Sequence, residues 1–317
     1  MALTCSGSIY RSGFGPLMGG VSVMPFPYVS QGPYGQAGQN KSWPAQETSN
    51  LDAFWGAAPP DVADRETARC LEALELMLRT QSSPTETAAI LIEPVQGEGG
   101  YLPTPPGYLR GLREICDKHN LLLICDEVQT GFGRTGTMFA SEWVDNGITP
   151  DILVCAKGIA NGYPISAVAS RSELSAKQPP GSMGGTYGGN AVSCAAAHAV
   201  LDAFEKENIL QNVNQQEKAV RGLLQSIQRL DSGQIIREVR GKGLMIGVEF
   251  ERLPGKKHGE TAGAVVQACL KRDLMVLQCG PYDTLRIIPR LNSTDAEIAQ
   301  GMDILKDAVT EVHASAC

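Results

Sequence analysis

Two short apolar runs in the middle of the chain each end in one ionisable residue. Residues 121–125 precede Asp126, and residues 152–156 precede Lys157. Uninterrupted apolar runs of this length predict buried strands of a parallel sheet. Ligands of open α/β sheets bind in the crevice beyond the carboxyl ends of such strands. We therefore expect Asp126 and Lys157 to face one functional site.

The segments before these strands predict the rest of a parallel sheet. Residues 63–78 and 108–119 have apolar positions at helical spacing, and residues 88–92 predict a further strand that ends at Glu93. A strand, a helix and a strand joined by short links indicate parallel pairing. Residues 1–60 are rich in Gly, Pro, Ser and Tyr, and we predict that they are mostly loop.

The second half of the chain has a different pattern, which predicts a second domain. Thr294 and Glu297 fit a capping box at the start of the last helix. The mixed order of elements predicts a large domain over residues 1–205 and a smaller α+β domain over residues 206–317. The predicted strands lie within 164–169, 235–250, 275–278 and 285–288, and the predicted helices at 191–207, 210–230, 260–272 and 294–313.

Composition narrows the classes of function. A net charge of −7 disfavours nucleic acid or an anionic membrane as the main partner. No apolar run reaches the roughly 18 residues of a membrane span. Nine cysteines without CxxC spacing favour a reducing compartment, so we expect the cytoplasm, with the mitochondrion as the alternative if a longer N-terminus exists. The four histidines lack metal-site spacing, so no metal is expected.

A lysine and an aspartate at neighbouring strand ends fit one cofactor. Pyridoxal 5'-phosphate needs a lysine that bonds its aldehyde carbon and an acid that keeps its ring nitrogen protonated. Lys157 and Asp126 suit these roles, Gln129 suits the phenolic oxygen, and Val128 suits one face of the ring. The alternatives are a surface lysine at a strand end and a loop or helix-capping aspartate.

Other polar groups suggest anion and substrate sites. Thr186 lies in the glycine-rich run at 184–190, which predicts either a phosphate cradle at a helix start or a simple turn. Glu93 and Glu98 follow a strand, and two carboxylates near one sheet edge suggest an acid and base pair of the glycosidase kind. The guanidinium of Arg286 suits a substrate carboxylate, or it forms an interdomain ion pair with Glu98.

The sequence GFGRTG at 131–136 formally matches a dinucleotide-binding motif. The strand before it ends five residues before the first glycine, and the bulky Arg134 lies within the turn. A glycine-rich connection is the better interpretation. A nicotinamide-dependent oxidoreductase stays as an alternative of another class.

Five segments in this order carry a resemblance to a known family. They are IEPVQGEGGY, ICDEVQTGFGRTG, CAKGIANGYP, GGTYGGN and CGPYDTLRI. Together they resemble the class III pyridoxal-phosphate aminotransferases, and among these the 4-aminobutyrate aminotransferases. The resemblance implies an α/β fold of type I and a homodimer with its site at the subunit interface. It also implies an amine and a 2-oxo acid, such as 2-oxoglutarate or pyruvate, as substrates.

The resemblance assigns a role to each candidate residue. Lys157 is implied as the covalent anchor, Asp126 as the contact of the pyridine nitrogen, and Val128 and Gln129 as ring contacts. It further implies that Thr186 reaches the phosphate of the neighbouring subunit and that Glu93 lies in the substrate site. Arg286 is implied to hold the α-carboxylate of the substrate, and Glu98 to neutralise Arg286 when the donor lacks an α-carboxylate.

The first residues resemble an internal segment of the family. We therefore expect an N-terminally truncated member, in which the phosphate cup, the ring-stacking aromatic residue and the arginine for a distal carboxylate lie outside this chain. Two further interpretations follow: a catalytically impaired remnant or dimer partner, and an aminotransferase of a specialised biosynthetic pathway.

Overall fold

The structure, a computed structural model, describes residues 2–5, 7–29 and 60–315. Its helices are α1 (Pro60–Thr80), α2 (Tyr108–His119), α3 (Ser172–Ser175), α4 (Ala191–Lys206), α5 (Ile209–Gln228), α6 (Glu260–Leu270) and α7 (Asp295–Ala314). Its strands are β1 (Ala89–Ile92), β2 (Val95–Gln96), β3 (Leu102–Pro103), β4 (Leu122–Asp126), β5 (Ile152–Cys155), β6 (Ala167–Ser170), β7 (Ile236–Lys242), β8 (Met245–Phe250), β9 (Leu277–Cys279) and β10 (Thr284–Ile287).

The first sheet has the strand order β1-β4-β5-β6. The pairs β1–β4 and β4–β5 are parallel, and β6 runs antiparallel at the edge. The helix α2 connects β1 to β4 and buries Leu109, Leu112 and Cys116 in the core beneath the sheet. The expected α/β fold with a mostly parallel sheet is confirmed.

Strand register brings the carboxyl ends of this sheet to one level. Ile92 pairs with Cys125, so the residues that follow them, Glu93 and Asp126, lie side by side at the ends of β1 and β4. Asp126 in turn pairs with Val154, so Lys157 follows only three residues beyond on the neighbouring strand. This edge therefore gathers ionisable groups from three strands.

The second sheet is antiparallel throughout, with the order β7-β8-β10-β9. The helices α5, α6 and α7 pack together over it. Their apolar positions and those of the strands form one buried cluster, whose members include Val220, Leu224, Val248, Val265, Leu285 and Leu305. This unit is the separate antiparallel domain.

The boundary at residues 205 and 206 stays a prediction. One large hydrophobic cluster draws its members from residues 24–148, and the other draws them from residues 204–312. Phe204 of α4 already packs against the second cluster.

Most predicted elements agree with the structure within about two residues. The capping box before α7 is confirmed, since Thr294 Oγ1 accepts from Glu297 N at 3.3 Å. The β2–β3 hairpin was not predicted because each of its strands has only two residues. Residues 7–29 contain a 3-10 turn at Ser8–Tyr10, in accord with the predicted loop, whereas residues 30–59 of that prediction lie outside the described residues. No helix among the described residues is long and apolar enough to cross a bilayer.

We expect Leu285→Ala to destabilise the antiparallel domain strongly. Leu285 is fully buried in β10, so truncation removes apolar contacts and leaves a cavity that costs about 2–5 kcal/mol. The control is Leu277→Ala in the adjacent strand β9, where the side chain is 50% exposed. Urea unfolding measures both variants, and equal losses of stability would contradict the assigned core.

Candidate active site

The carboxyl ends of β1, β4 and β5 gather Glu93, Asp126 and Lys157. Glu93 lies within electrostatic reach of Asp126, Lys157 and Glu98. Its Oε2 accepts a hydrogen bond from Gly97 N at 2.8 Å, which folds the following loop back over the strand end. Burial raises the pKa of Glu93 to about 7, and the nearby Asp126 and Glu98 carboxylates act in the same direction. Glu93 is thus poised to change its protonation state near neutral pH.

Lys157 follows β5 in a strained backbone conformation. Its φ of 45° lies in the left-handed region, which lysine rarely adopts, and it begins the 3-10 turn Lys157–Ala160. Such conformations concentrate at functional sites, where the surrounding structure holds them. Gly158 permits the close packing of this turn, since a Cβ there would lie 3.0 Å from Phe132 Cβ. The side chain of Lys157 is exposed in this chain.

The loop after β4 is built around two successive acids with different surroundings. Asp126 is half-buried, and its Oδ1 accepts from Val128 N at 3.0 Å. Its other oxygen has no hydrogen bond within the described part of the chain, so it is available to a ligand. Glu127 points the opposite way and is fully buried.

Glu127 organises this loop from inside the protein. Its carboxylate accepts from Ala140 N at 2.9 Å, from Ser141 N at 2.8 Å and from the Thr130 hydroxyl. Three donors satisfy a buried carboxylate that would otherwise be costly. Sequence reasoning missed this residue, because nothing in the pattern distinguishes which of the two acids points inward.

Gln129 has an unsatisfied amide oxygen. Its Oε1 is buried and accepts no hydrogen bond within the described residues. The amide packs directly on the backbone of Gly97, where an added Cβ would lie 2.8 Å from it. A buried amide oxygen without a donor costs free energy that a ligand with an N–H or O–H group would recover. Gln129 is therefore placed to bind a polar group of a cofactor or substrate.

Glu98 and Arg286 form an ion pair at the mouth of the crevice. The Arg286 side chain is 14% exposed and that of Glu98 is 38% exposed. The Arg286 guanidinium also lies 6.0 Å from the centre of the Tyr101 ring, a contact between distant positions that no local pattern predicts. Arg286 Nε is buried without a hydrogen-bond acceptor among the described residues. The guanidinium thus keeps donor capacity for an incoming carboxylate.

Thr186 and Val128 have different surroundings. Val128 is partly buried beside Asp126, at the same strand end as the other candidates. Thr186 lies in an exposed turn and makes no side-chain hydrogen bond or ion pair with them among the described residues. Asn190 after this turn caps α4, because its Oδ1 accepts from Val192 N and Ser193 N at 3.1 and 3.2 Å.

The GFGRTG segment forms a turn that begins no α-helix, unlike a dinucleotide loop. Arg134 is partly buried and donates from Nη1 to Leu244 O at 3.0 Å and to Pro289 O at 2.7 Å. Gly136 O accepts from Asn214 Nδ2 at 2.9 Å. The segment joins the parallel sheet to the antiparallel domain, as a glycine-rich connection would.

The family model for class III aminotransferases matches residues 1–309 of this chain. The 5-aminovalerate aminotransferase of Pseudomonas putida is 40% identical over 244 residues, which are 76% of this chain and 56% of that protein. The 4-aminobutyrate aminotransferase of Escherichia coli is 40% identical over 245 residues, with the same two shares. The chain thus spans little more than half the length of these curated relatives.

A solved structure has the same fold. The taurine:2-oxoglutarate aminotransferase of Bifidobacterium kashiwanohense, in complex with pyridoxal phosphate and glutamate, is 27% identical with a TM-score of 0.73. The alignment covers 80% of this chain and 58% of that one.

We expect Glu93 to make stability fall as pH rises towards neutrality. The unfolded chain loses this proton near pH 4.3, whereas the folded chain keeps it until about pH 7. Between these values the folded state binds more protons, so raising the pH destabilises it. Glu93→Gln removes this titration. Between pH 4.5 and pH 8 its free energy of unfolding should therefore rise by about 1–3 kcal/mol relative to that of the parent.

Urea unfolding at the two pH values measures this gain. Glu86 is exposed, so Glu86→Gln is the matched control. Its free energy of unfolding should equal that of the parent at both pH values. A constant difference between Glu93→Gln and the parent would refute the assignment.

Proposed function

The chain belongs to the class III aminotransferases, and we propose that with pyridoxal 5'-phosphate it transfers an amino group from an ω-amino acid or related amine to a 2-oxo acid. 4-Aminobutyrate represents the donor class, and 2-oxoglutarate or pyruvate represents the acceptor class. The observation that carries the proposal is the gathering of Glu93, Asp126 and Lys157 at one sheet edge beneath the Glu98–Arg286 pair.

The residues present fit the cofactor. Three groups lie at one crevice: the amide of Gln129, whose buried oxygen has no donor among the described residues, the available oxygen of Asp126 and the exposed amine of Lys157. They supply a hydrogen-bonding group, an anion and a nucleophile. Pyridoxal phosphate, when bound, supplies an electron sink for negative charge on the carbon beside the amino nitrogen.

Each side chain then has one task at the cofactor. Lys157 Nζ would bond the aldehyde carbon, and Asp126 would hold the proton on the ring nitrogen. Val128 would pack on one face of the ring, and Gln129 would donate to the phenolic oxygen. Thr186, exposed in its turn, would bind the phosphate held by the neighbouring subunit.

Lys157 and three further side chains act on the substrate. Once its amine is free, Lys157 accepts and returns the proton at the substrate carbon that bears nitrogen. Arg286 binds the α-carboxylate of the 2-oxo acid, and Glu93 lies beside the reacting groups. When the donor lacks an α-carboxylate, Glu98 neutralises Arg286. The greater exposure of Glu98 supports this exchange, because Glu98 can turn towards solvent while Arg286 stays in place.

The exposed apolar surface beside Thr186 supports a homodimer with the site at its interface. The helix α4 is apolar along most of its length, yet among its residues only Ser193 is fully buried. All four residues of β6 are exposed. Tyr187 is 89% exposed, Val192 61% and Val168 60%. Apolar patches of this kind mark surfaces that another protein surface covers.

A second candidate is a chain that pairs with another copy but lacks full activity. The exposed apolar surface of α4 and β6 supports it, because pairing through that surface requires no catalysis. Activity of the purified chain with 4-aminobutyrate and 2-oxoglutarate separates the two candidates. The cysteines, free wherever they are described, support a reducing compartment and thus the cytoplasm for either.

We expect Lys157→Ala to abolish covalent capture of pyridoxal phosphate. Borohydride reduction of the loaded parent, followed by peptide mass spectrometry, should find the reduced adduct on Lys157. Transamination should fall at least about 100-fold in the variant, since the proton carrier is lost. Lys177→Ala, at an exposed position outside the crevice, is the control and should keep both properties. An adduct that persists in Lys157→Ala would overturn the assignment.

We expect Val192→Asp to weaken self-association. Aspartate suits the first turn of α4, so the helix is kept, while an unpaired carboxylate in an apolar interface costs more than about 1.4 kcal/mol, or tenfold in affinity. Sedimentation velocity over a concentration series measures the change. Leu230→Asp, also at an exposed apolar position but distant in sequence, should associate like the parent. Equal association of the two variants would contradict the proposed interface.

A further inference from the structure

A fully satisfied arginine is buried between the two parts of the chain. Arg240 on β7 is 2% exposed, and its Nη1 donates to Glu249 Oε2 at 2.6 Å and to Glu238 Oε2 at 3.2 Å. Tyr28 OH donates to the same two carboxylates at 2.5 and 3.1 Å. These acids balance the buried charge and raise the pKa of Arg240 even though burial opposes this. One side of the guanidinium is therefore fixed within the antiparallel domain.

The other side of the guanidinium reaches out of that domain. Arg240 Nε and Nη2 both donate to Gly100 O, at 3.1 and 2.8 Å. Nη2 also donates to Thr284 Oγ1 at 2.9 Å. With these bonds all five N–H groups of Arg240 have acceptors. A lysine could not reproduce the planar fork that joins these acceptors.

These two acceptors flank the Glu98–Arg286 pair. Gly100 follows Glu98 by two residues in the loop after β2, and Thr284 precedes Arg286 by two residues on β10. Residues two apart on a strand share one face of the sheet, so Thr284 and Arg286 lie side by side. The Arg240 guanidinium thus links the loop that carries Glu98 to the strand that carries Arg286.

The same loop is held at two further points. Gly280 N donates to Glu98 O at 2.8 Å, and Glu93 fixes Gly97 N. The contact at Gly280 is so close that an added Cβ would lie 2.7 Å from Gly99 O. The Glu98 backbone therefore has little freedom, and the side chain alone is left to move.

We propose that Arg240 is a positioning residue that sets the distance between Glu98 and Arg286, and thereby the choice between donors with and without an α-carboxylate. The second clause rests on the proposed function; the first rests on the geometry alone. Arg240 touches neither member of the pair and acts through the backbone of Gly100 and the hydroxyl of Thr284.

A double-mutant cycle on unfolding tests the positioning without requiring catalysis. Glu98→Gln, Arg286→Gln and their double variant give the coupling between the two side chains from the shifts in urea midpoint. We expect clear coupling in the parent and its loss in the Arg240→Lys background. A purely structural role would lower all midpoints alike and leave the coupling intact, which would overturn the proposal.

Arg237→Lys is the matched control. Arg237 lies on the same strand and faces Glu249 at 3.7 Å and Glu251 at 3.5 Å. Within the described part of the chain it makes no hydrogen bond to Gly100 or Thr284. Its variant should keep the coupling of the parent. Loss of coupling in Arg237→Lys equal to that in Arg240→Lys would overturn the specific role of Arg240.

Thr284→Val covers the case in which Arg240→Lys fails to fold. It removes one acceptor of Arg240 at nearly constant shape, and we expect the coupling between positions 98 and 286 to fall at least by half. Unchanged coupling in this variant would overturn the proposal.

Kinetics separate this inference from the proposed function. In an active parent, Arg240→Lys should raise the KM for 2-oxoglutarate roughly five- to tenfold while kcat changes less than about twofold, because carboxylate binding is affected and the reacting groups are not. Arg237→Lys should leave both constants unchanged, and equal KM values in the two variants would overturn the inference. If the parent is inactive but the coupling between positions 98 and 286 responds as described, the proposed function is wrong and the positioning role of Arg240 is supported.

Discussion

The parallel register of β1, β4 and β5 is the constraint on which the site depends. Backbone hydrogen bonds fix Ile92 beside Cys125 and Asp126 beside Val154. One ionisable residue then lies at or just beyond the end of each strand, at nearly the same level of the sheet. Because the side-chain period of a strand is two residues, a slip of one position would exchange inward and outward groups and disperse the cluster. The chemistry of the crevice is thus a consequence of sheet geometry.

Burial and charge then give these neighbouring acids different properties. Asp126 and Glu127 are adjacent in sequence, yet one keeps an available oxygen while the other is enclosed by three donors. Glu93 lies between acids and a lysine, and burial moves its pKa to about 7. Similar carboxylates can therefore serve as a cofactor contact, a loop support and a titrating group.

The antiparallel domain contributes fixed positions to the site. Guanidinium and amide groups bind backbone carbonyls across the boundary: Arg134 binds Leu244 and Pro289, Asn214 binds Gly136, and Arg240 binds Gly100. Such bonds direct donors at oxygens that would otherwise be buried without partners. They also join the loop of Glu98 to the strand of Arg286, so the Glu98–Arg286 ion pair depends on both parts of the chain.

The sequence by itself predicted most of the strands and helices and supplied the candidate site residues. Apolar runs ending in Asp126 and Lys157 predicted the sheet edge, since hydrophobic patterning and strand length are local properties. The glycine-rich turn at Gly131 was correctly interpreted as a connection, because its distance from the strand is also local. The five motifs identified the family, which the family model confirmed.

Only the tertiary structure decided which groups meet. Glu127 differs from Asp126 through contacts with Ala140 and Ser141, and Arg240 acts on a loop 140 residues away in sequence. The exposure of Lys157 likewise depends on what surrounds the strand end. Side-chain direction, burial and pKa are set by neighbours distant in the chain, and no local pattern records those neighbours.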